Sequence, residues 1–462
     1  MIRIGRSLPK VRWMRPTSNR SWIITSLIII AFVIGIHKTF HRYKSDDLSE
    51  LTLTILTAIK GSSDPDYIHI DSSGNHIWQK KCGGNVNIIN HKVLLLRDGT
   101  LFGHFIDAKR TGGDDVLRVI GQPENDEFVR VNKGFIRVPC DDVVLPKLYI
   151  QSTYQHFIKT IDITTQHQKY GGTTEQKYLQ PFGIVVERKD YANVYWTMIE
   201  LYNAFLTTKM FSRDPSQTCI VVLDVHPRGK LDELWSMVFQ RVIRVKEIKD
   251  QEVNFRDLIF GIDTYSGPIT AGMELLPFIY EFQETIYRAN ALCIPAKTPC
   301  SLGSQYLNIT LILRNNYVAH ARNPSGKIKR KLLNEEEIIN EIRSAMPSTK
   351  LTAVQLDDLS MEDQVKLIYN TDILIGVHGA GLGHVIMMRP QSGLIELFPT
   401  LYFLFRNKHF EEFANWVGVH YSSWYNCDVF FGDSEWLYVP PKTVVQLLQE
   451  MTTKICSGIT LK

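Results

Sequence analysis

Residues Thr371–Pro399 read TDILIGVHGAGLGHVIMMRPQSGLIELFP, and this stretch decides the fold class. An uncharged, β-rich run (Ile373–Val377) leads into the glycine-rich turn His378-Gly379-Ala380-Gly381-Leu382-Gly383. A short apolar helix start follows, then a second strand ending at Glu396. Continuous apolar strands of this kind suit a parallel sheet covered on both faces. Glycines at the strand-to-helix turn let backbone N–H groups approach a ligand, and the helix N-terminus favours an anion such as a diphosphate. A lone glycine pair would be no more than an ordinary βα turn. Here His378 adds a donor for phosphate oxygens, and Glu396 adds a carboxylate for a sugar or ribose hydroxyl.

Strand and helix patterns alternate on both sides of this stretch. Ile309–Leu313 reads as the first strand of its series. Asn334 is a plausible N-cap, with Glu335, Glu336 and Glu337 at the positive end of the helix dipole. Ser360 caps the next helix, and Pro440-Pro441 opens a last one over Thr443–Met451. Upstream, strands are expected at Gly183–Glu187 and Cys219–Asp224, and helices at Ala192–Met210, Leu231–Phe239 and Phe278–Ala291. Short β-like runs, such as Val93–Leu96 and Phe135–Val138, fill Trp78–Pro146. Two α/β halves, 76–300 and 301–462, joined through the Cys293–Gly303 linker, imply a ligand-binding cleft.

The 462 residues give room for about two to three ordinary domains. With 44% hydrophobic and 22% charged residues the chain is globular. A net charge of +4, concentrated near the N-terminus and without a basic–aromatic stripe, gives no sign of nucleic-acid binding. Ser21–Ile36 is uncharged and mostly apolar. Arg3, Arg6, Lys10, Arg12, Arg15 and Arg20 precede it, and Lys38, Arg42 and Lys44 follow. That pattern predicts a cytosolic tail (1–20), a single transmembrane anchor (21–40) and a stem (41–75), with the remainder lumenal. The long basic head and the lack of a small-x-small site argue against a cleaved signal peptide. Seven cysteines fit an oxidising lumen; Cys293 and Cys300 are the expected bridge and Cys219 a buried thiol. Asn308-Ile309-Thr310 is a glycosylation sequon abutting a strand.

No G-x-S-x-G, Walker A, H-E-x-x-H or dinucleotide glycine fingerprint occurs. The D-x-D at Asp64-Pro65-Asp66 falls in the stem, so no metal is expected to bridge a diphosphate. Arg314 at a strand end and Arg330 could instead join His378 around that anion, because guanidinium binds phosphate oxygens bidentately. Asp224, at the end of a buried strand, and Glu200, mid-helix, are candidate general bases, with His226 a weaker one.

Together these segments resemble the catalytic domain of glycosyltransferase family 61. The resemblance rests on Asp190-Tyr191-Ala192-Asn193-Val194-Tyr195-Trp196-Thr197, the strand ending at Asp224, Leu231-Asp232-Glu233-Leu234-Trp235, Leu313-Arg314, Arg330 with Asn334-Glu335, and His378-Gly379-Ala380-Gly381-Leu382. It covers roughly residues 180 to 400 and is strongest to the plant-type β-1,2-xylosyltransferases. Other members transfer GlcNAc to EGF repeats or to O-mannose. The resemblance implies an inverting, GT-B-like enzyme with two Rossmann-like halves, a Golgi (alternatively endoplasmic reticulum) type II membrane protein. Its donor would be a UDP-sugar, UDP-xylose or UDP-GlcNAc, and its acceptor a glycoprotein or N-glycan. Arg314, Arg330, His378, Gly379, Ala380, Gly381, Leu382 and Glu396 would hold the nucleotide sugar. Asp224 and Glu200 would be catalytic, and Asn193, Trp196 and His226 would lie on the acceptor side, in the 76–300 half. Trp196, Glu200 and Gly383 depart from the family's usual His, Asp and hydroxyl or amide residue. Those departures leave a membrane-tethered carbohydrate-binding pseudoenzyme as the reading from another class.

Overall fold

Nine strands of the first part of the chain form one sheet, and five of the second part form another. The computed structural model describes residues 78–89, 93–140, 154–164, 179–261, 276–293, 307–399, 408–426 and 436–457. The expected tail, anchor and stem, the Asp64-Pro65-Asp66 turn and Cys300 lie outside these residues. Among the described residues no helix is long and apolar enough to cross a membrane.

In the first part β1 (Trp78–Lys81), β2 (Val86–Ile89) and β3 (Val93–Phe102) form an antiparallel edge. The short strands β4 (Ile106–Asp107) and β5 (Arg130–Val131) pair separately. β6 (Ile136–Pro139) pairs with β3 and with β7 (Ile161–Thr164), around the short helix α1 (Gln155–Ile158). The remainder is parallel: β8 (Leu179–Val186), β9 (Cys219–Val222), β10 (Arg241–Arg244) and β11 (Glu252–Phe260), in the order β11-β8-β9-β10. Helices α2 (Val194–Met210), α3 (Asp232–Val238), α4 (Val245–Ile248) and α5 (Ile279–Ala289) accompany it. β9 is buried at every position, as expected for a central parallel strand.

The second sheet is wholly parallel. Its strands are β12 (Leu307–Ile312), β14 (Thr349–Val354), β15 (Ile373–Val377), β16 (Gly393–Phe398) and β17 (His420–Tyr425), in the order β14-β12-β15-β16-β17. A two-stranded ribbon of β13 (Lys331–Leu332) and β18 (Trp436–Leu437) lies outside it. Helices α6 (Glu335–Ala345), α7 (Met361–Asn370), α8 (His409–Trp416) and α9 (Pro441–Ser457) complete the part. Counted by chain position the order is 2-1-3-4-5, so the winding reverses between β12 and β15. Doubly wound sheets bind ligands outside the strand ends at that point.

Two local expectations change. Ser360 does cap α7, accepting from Asp363 N at 3.1 Å. Asn334 precedes α6 but makes no side-chain cap; its amide bonds Val439 O (2.9 Å) and receives Val439 N (3.3 Å), fixing the chain after β18. The disulfide in the first part joins Cys82 and Cys140, and Cys456 is also disulfide-bonded. Cys293 is a free, exposed thiol, so the expected Cys293–Cys300 bridge is not formed. Cys219 is free and buried, and burial pushes its thiol up to about 12.

Candidate active site in the cleft

A cleft of about 610 Å³ opens beyond the carboxyl ends of β12 and β15, where the sheet order reverses. That volume is in the range of small-molecule sites. Tyr191, Asn193, Tyr195, Arg228 and Lys230 line it from the first part; Arg314, Arg330, Asp357, His378, Gly379, Ala380, Gly381 and His409 line it from the second. Lys230 donates to the backbone carbonyls of Asp357 and Leu359, the latter at 3.0 Å, and so ties one part to the other.

Arg314 lies directly over the glycine turn. A Cβ built on Gly379 would sit 2.3 Å from Arg314 Nη1 and 3.0 Å from Cζ, so only glycine leaves room for the guanidinium. The turn needs no left-handed conformation there, since Gly379 is extended at φ 168°. Arg314 Nε donates to Lys329 O at 3.2 Å, and among the described residues no carboxylate pairs with Arg314. Burial, with Arg330 nearby, lowers its pKa to about 10. A desolvated cation without a counter-charge is costly and calls for an anion. Arg330 adds to this. It is held at φ +62°, in the left-handed region, and its Nε is buried without a hydrogen-bond partner. Strained backbone and orphaned donors of this kind gather where a ligand completes the site. Arg228 is a third, exposed guanidinium on the cleft wall.

His378 lines the cleft with its Nδ1 edge turned inward, 2.5 Å from Glu396 Oε1. Glu396 is fully buried and also accepts from Tyr421 Oη at 2.7 Å. It therefore does not face a sugar or ribose, as expected from sequence; it orients and charges His378 from below. Leu382 is 1% exposed, and its side chain packs at the β15–β12 contact around Gly376, so it too is not a cleft residue. The expected helix start is a 3₁₀ segment, Ala380–Met387. A Cβ on Gly383 would approach Tyr195 N and Cα at 3.3 Å. The residue is small so that the start of α2 can pack there, which accounts for the departure from the family pattern without invoking phosphate. On the same side Gln283 donates to the carbonyls of Ile386 (2.7 Å) and Met388 (3.0 Å), and Tyr287 to those of Met387 and Met388 (both 3.1 Å).

The expected bases do not reach the cleft. Asp224 is 0% exposed and is gripped by Arg188, with Nη2–Oδ1 at 2.6 Å and Nε–Oδ2 at 2.8 Å; backbone N–H groups of Arg188 and His226 add to it. Despite the burial, the Arg188 guanidinium holds this carboxyl well below the usual range, so it is a poor proton acceptor. Arg188 also pairs with Asp232, which pairs with Arg244 at 2.5 Å. Glu200 is 1% exposed, and its Oε1 accepts from Lys189 N at 2.6 Å, so it holds the loop before α2. His226 has Nε2 3.0 Å from Arg188 O and Nδ1 3.2 Å from Glu127 Oε2. With acceptors on both nitrogens the ring carries both protons, consistent with a raised pKa; Asp224 and Glu127 outweigh the burial that opposes it. His226 is thus a buried structural cation. Trp196 is half-buried on α2 and does not line the cleft, whereas Asn193 does, and also caps α2 by accepting from Tyr195 N at 3.1 Å. Asn308 is the second residue of the central strand β12; its backbone N–H donates to Asp372 Oδ2 at 2.8 Å, and Thr310 of the sequon is 1% exposed with its hydroxyl on Thr371. The folded chain does not present that sequon.

Three cleft residues escaped the sequence reading. His409, at the start of α8, bonds Tyr195 Oη through Nδ1 at 2.9 Å; burial, with His378 nearby, lowers its pKa to about 4. Asp357 follows β14, the strand beside β12, and burial raises its pKa. Lys230 is the third. None sits in a motif; Asp357 alone had a signal, as an acid just past a strand.

Comparison with known proteins agrees with this geometry. The glycosyltransferase 61 family model matches residues 102–395. The chain is 27% identical over 283 residues to a β-1,2-xylosyltransferase of Arabidopsis thaliana, covering 53% of this chain and 52% of that protein. It is 23% identical over 352 residues to a β-1,2-xylosyltransferase of Oryza sativa subsp. japonica, covering 68% and 64%. To the EGF domain-specific O-linked N-acetylglucosamine transferase of Mus musculus it is 24% identical over 261 residues, covering 52% and 46%. The chain thus spans between about half and 64% of the xylosyltransferases it matches.

Proposed function

Because this chain belongs to glycosyltransferase family 61, we propose that it transfers a sugar from a nucleotide-sugar donor to a glycoprotein glycan. In this reading the two α/β parts act as the halves of a GT-B-like enzyme. The donor is UDP-xylose and the acceptor the β-mannose of an N-glycan core, in line with the xylosyltransferase relatives. UDP-GlcNAc with a protein or O-mannose acceptor is the second reading, supported by the likeness to the EGF domain-specific transferase. The observation that carries the proposal is Arg314, a desolvated guanidinium without a carboxylate, laid over the one residue that has no Cβ to displace it.

Arg314, Arg330 and His378 neutralise the diphosphate, which makes it a better leaving group as the bond from the sugar's anomeric carbon to its oxygen breaks. His378 does so as the imidazolium that buried Glu396 stabilises. Asp357, not Glu396, receives the ribose hydroxyls, from the end of the strand next to β12. The acceptor hydroxyl attacks from the opposite face and gives its proton to a group lining the cleft. We assign that role to His409, which is neutral at working pH and oriented by Tyr195, in place of Asp224 and Glu200. The protein is anchored as a single-pass type II protein of the Golgi membrane by residues 21–40, in keeping with the basic residues ahead of Ser21; a mature N-terminus found beyond Ile36 would refute the anchor.

A panel of UDP-sugars, offered with N-glycan-core and EGF-repeat acceptors to the purified full-length protein, tests the reading. Turnover of UDP-xylose onto the glycan is expected, and binding without turnover of any donor would favour the carbohydrate-binding pseudoenzyme. His409→Gln should lower kcat about 10²–10⁴-fold with UDP affinity unchanged.

A further inference from the structure

The ribbon β13–β18 leaves an aromatic surface beside the cleft. Lys331 pairs with Trp436 and Leu332 with Leu437, in parallel, and Leu333 N donates to Leu437 O at 2.8 Å. Strand side chains alternate between faces. Leu332, Leu437 and Val439 point into the core of the second part at 3%, 0% and 0% exposure. On the other face Leu333, Trp436 and Tyr438 are 62%, 48% and 49% exposed. Large apolar side chains normally reach the surface singly, and a cluster of them marks a binding surface.

Two arguments place this face next to the reacting atoms. β13 lies between β12 and α6, and in a βα unit the helix starts at the carboxyl end of the sheet, so the ribbon sits on the same rim as the cleft. Arg330, in the cleft wall, immediately precedes Lys331, the backbone partner of Trp436. One residue step and one strand spacing put the Trp436 Cα within about 9 Å of the Arg330 Cα. Lys331 Nζ lies 4.8 Å from the centre of the Trp436 ring and steadies it.

We infer that Trp436 and Tyr438, with Leu333, form a platform on which sugar rings of the acceptor glycan stack; this rests on the transferase reading above. A pyranose has an apolar C–H face that packs on an aromatic ring and hydroxyls that stay in water. Three half-exposed side chains offer far less than the roughly 800 Å² per partner of a stable protein interface, but enough for one or two sugar rings. A cleft of about 610 Å³ that holds a nucleotide sugar leaves the rest of a branched acceptor outside, where this face begins.

The experiment measures binding of the free N-glycan core pentasaccharide Man3GlcNAc2 to the full-length protein saturated with UDP, by saturation-transfer NMR and calorimetry. Trp436→Ala and Tyr438→Ala are each expected to weaken it tenfold or more, and Trp436→Phe to keep most of it. UDP affinity and melting temperature should be unchanged, because the replaced side chains are exposed. Pentasaccharide binding equal to wild type in both alanine variants would overturn the platform. So would a wild type that binds UDP but not the pentasaccharide, or a Trp436→Ala variant that loses only an unglycosylated EGF repeat, which would mark a protein-docking surface. The transferase reading is judged separately, by wild-type UDP binding and donor turnover.

Discussion

Gly379→Ala asks whether the glycine turn serves the ligand or the fold. The new methyl would begin 2.3 Å from Arg314 Nη1, so the guanidinium must retreat by about 1 Å to restore an ordinary contact of 3.4 Å or more. The backbone is not strained by the change, because φ is 168° and alanine adopts that readily. The displaced atoms are the far end of a long side chain, so stability should fall by less than about 1 kcal/mol. Nucleotide affinity should fall much further. A displaced guanidinium loses a charge-assisted hydrogen bond of about 1.5–3 kcal/mol, or about 10- to 150-fold in Kd. Calorimetric titration with UDP reads this directly. Arg314→Ala should give a similar loss, and the double variant should be no weaker than Arg314→Ala within about 0.5 kcal/mol, because the two changes remove one interaction. Unaltered UDP affinity in Gly379→Ala, or losses that add in the double variant, would refute the proposed link between the turn and the cation.

Asp224→Asn should cost about 3–5 kcal/mol in urea unfolding at pH 7, since it leaves Arg188 buried without its main counter-charge; unchanged stability with a collapsed kcat would restore Asp224 as a catalytic base. The folded carboxyl lies below its usual pKa, so this stabilisation is present above about pH 4 and is lost as pH falls through the folded value. The gap between variant and wild type should therefore narrow progressively below pH 4. His226 has the opposite sign: its raised pKa contributes stability in full below about pH 6.5, lost as pH rises through the folded value, so His226→Gln should flatten the alkaline side of the stability profile. Arg330→Gly should raise stability by about 1 kcal/mol, by relieving a left-handed arginine, while weakening UDP binding; a stabilised variant with full UDP affinity would remove Arg330 from the donor site.

Much of the second part was legible because its strands are uniform apolar runs and its turns carry glycine, proline or capping residues. Ile373–Val377 and the turn after it were read nearly to the residue. β11 was missed although it is central, because Asn254, Arg256 and Asp257 interrupt its apolar run, and Asp257 is tolerated by pairing with Arg213 at 2.9 Å. β14 and β17 were missed because they are half-buried throughout and carry mixed residues. At the site, Arg314 and His378 follow from strand ends, since topology sends those ends to the cleft. Asp224 is also at a strand end, but what became of it depended on Arg188, 36 residues away, and no local pattern announces that pairing. The same holds for Glu396, whose partner is 18 residues distant. His409 lies next to Tyr195 only through the docking of α8 on α2, a contact 214 residues apart in sequence.

The contacts of α2 and α5 with Ala380–Met388 bear on how the cleft can move. Gln283 and Tyr287 hold three successive stretches of carbonyl there, and Gly383 lets the Tyr195 backbone within van der Waals range. Those groups sit immediately after the glycine turn that would cradle the diphosphate. The two parts therefore cannot slide freely over each other; opening reduces to a pivot about this hinge line, with the turn itself close to the axis. A pivot so placed would keep Gly379 and Arg314 in register while the far lip swings, so a nucleotide could be gripped before the acceptor side closes over it.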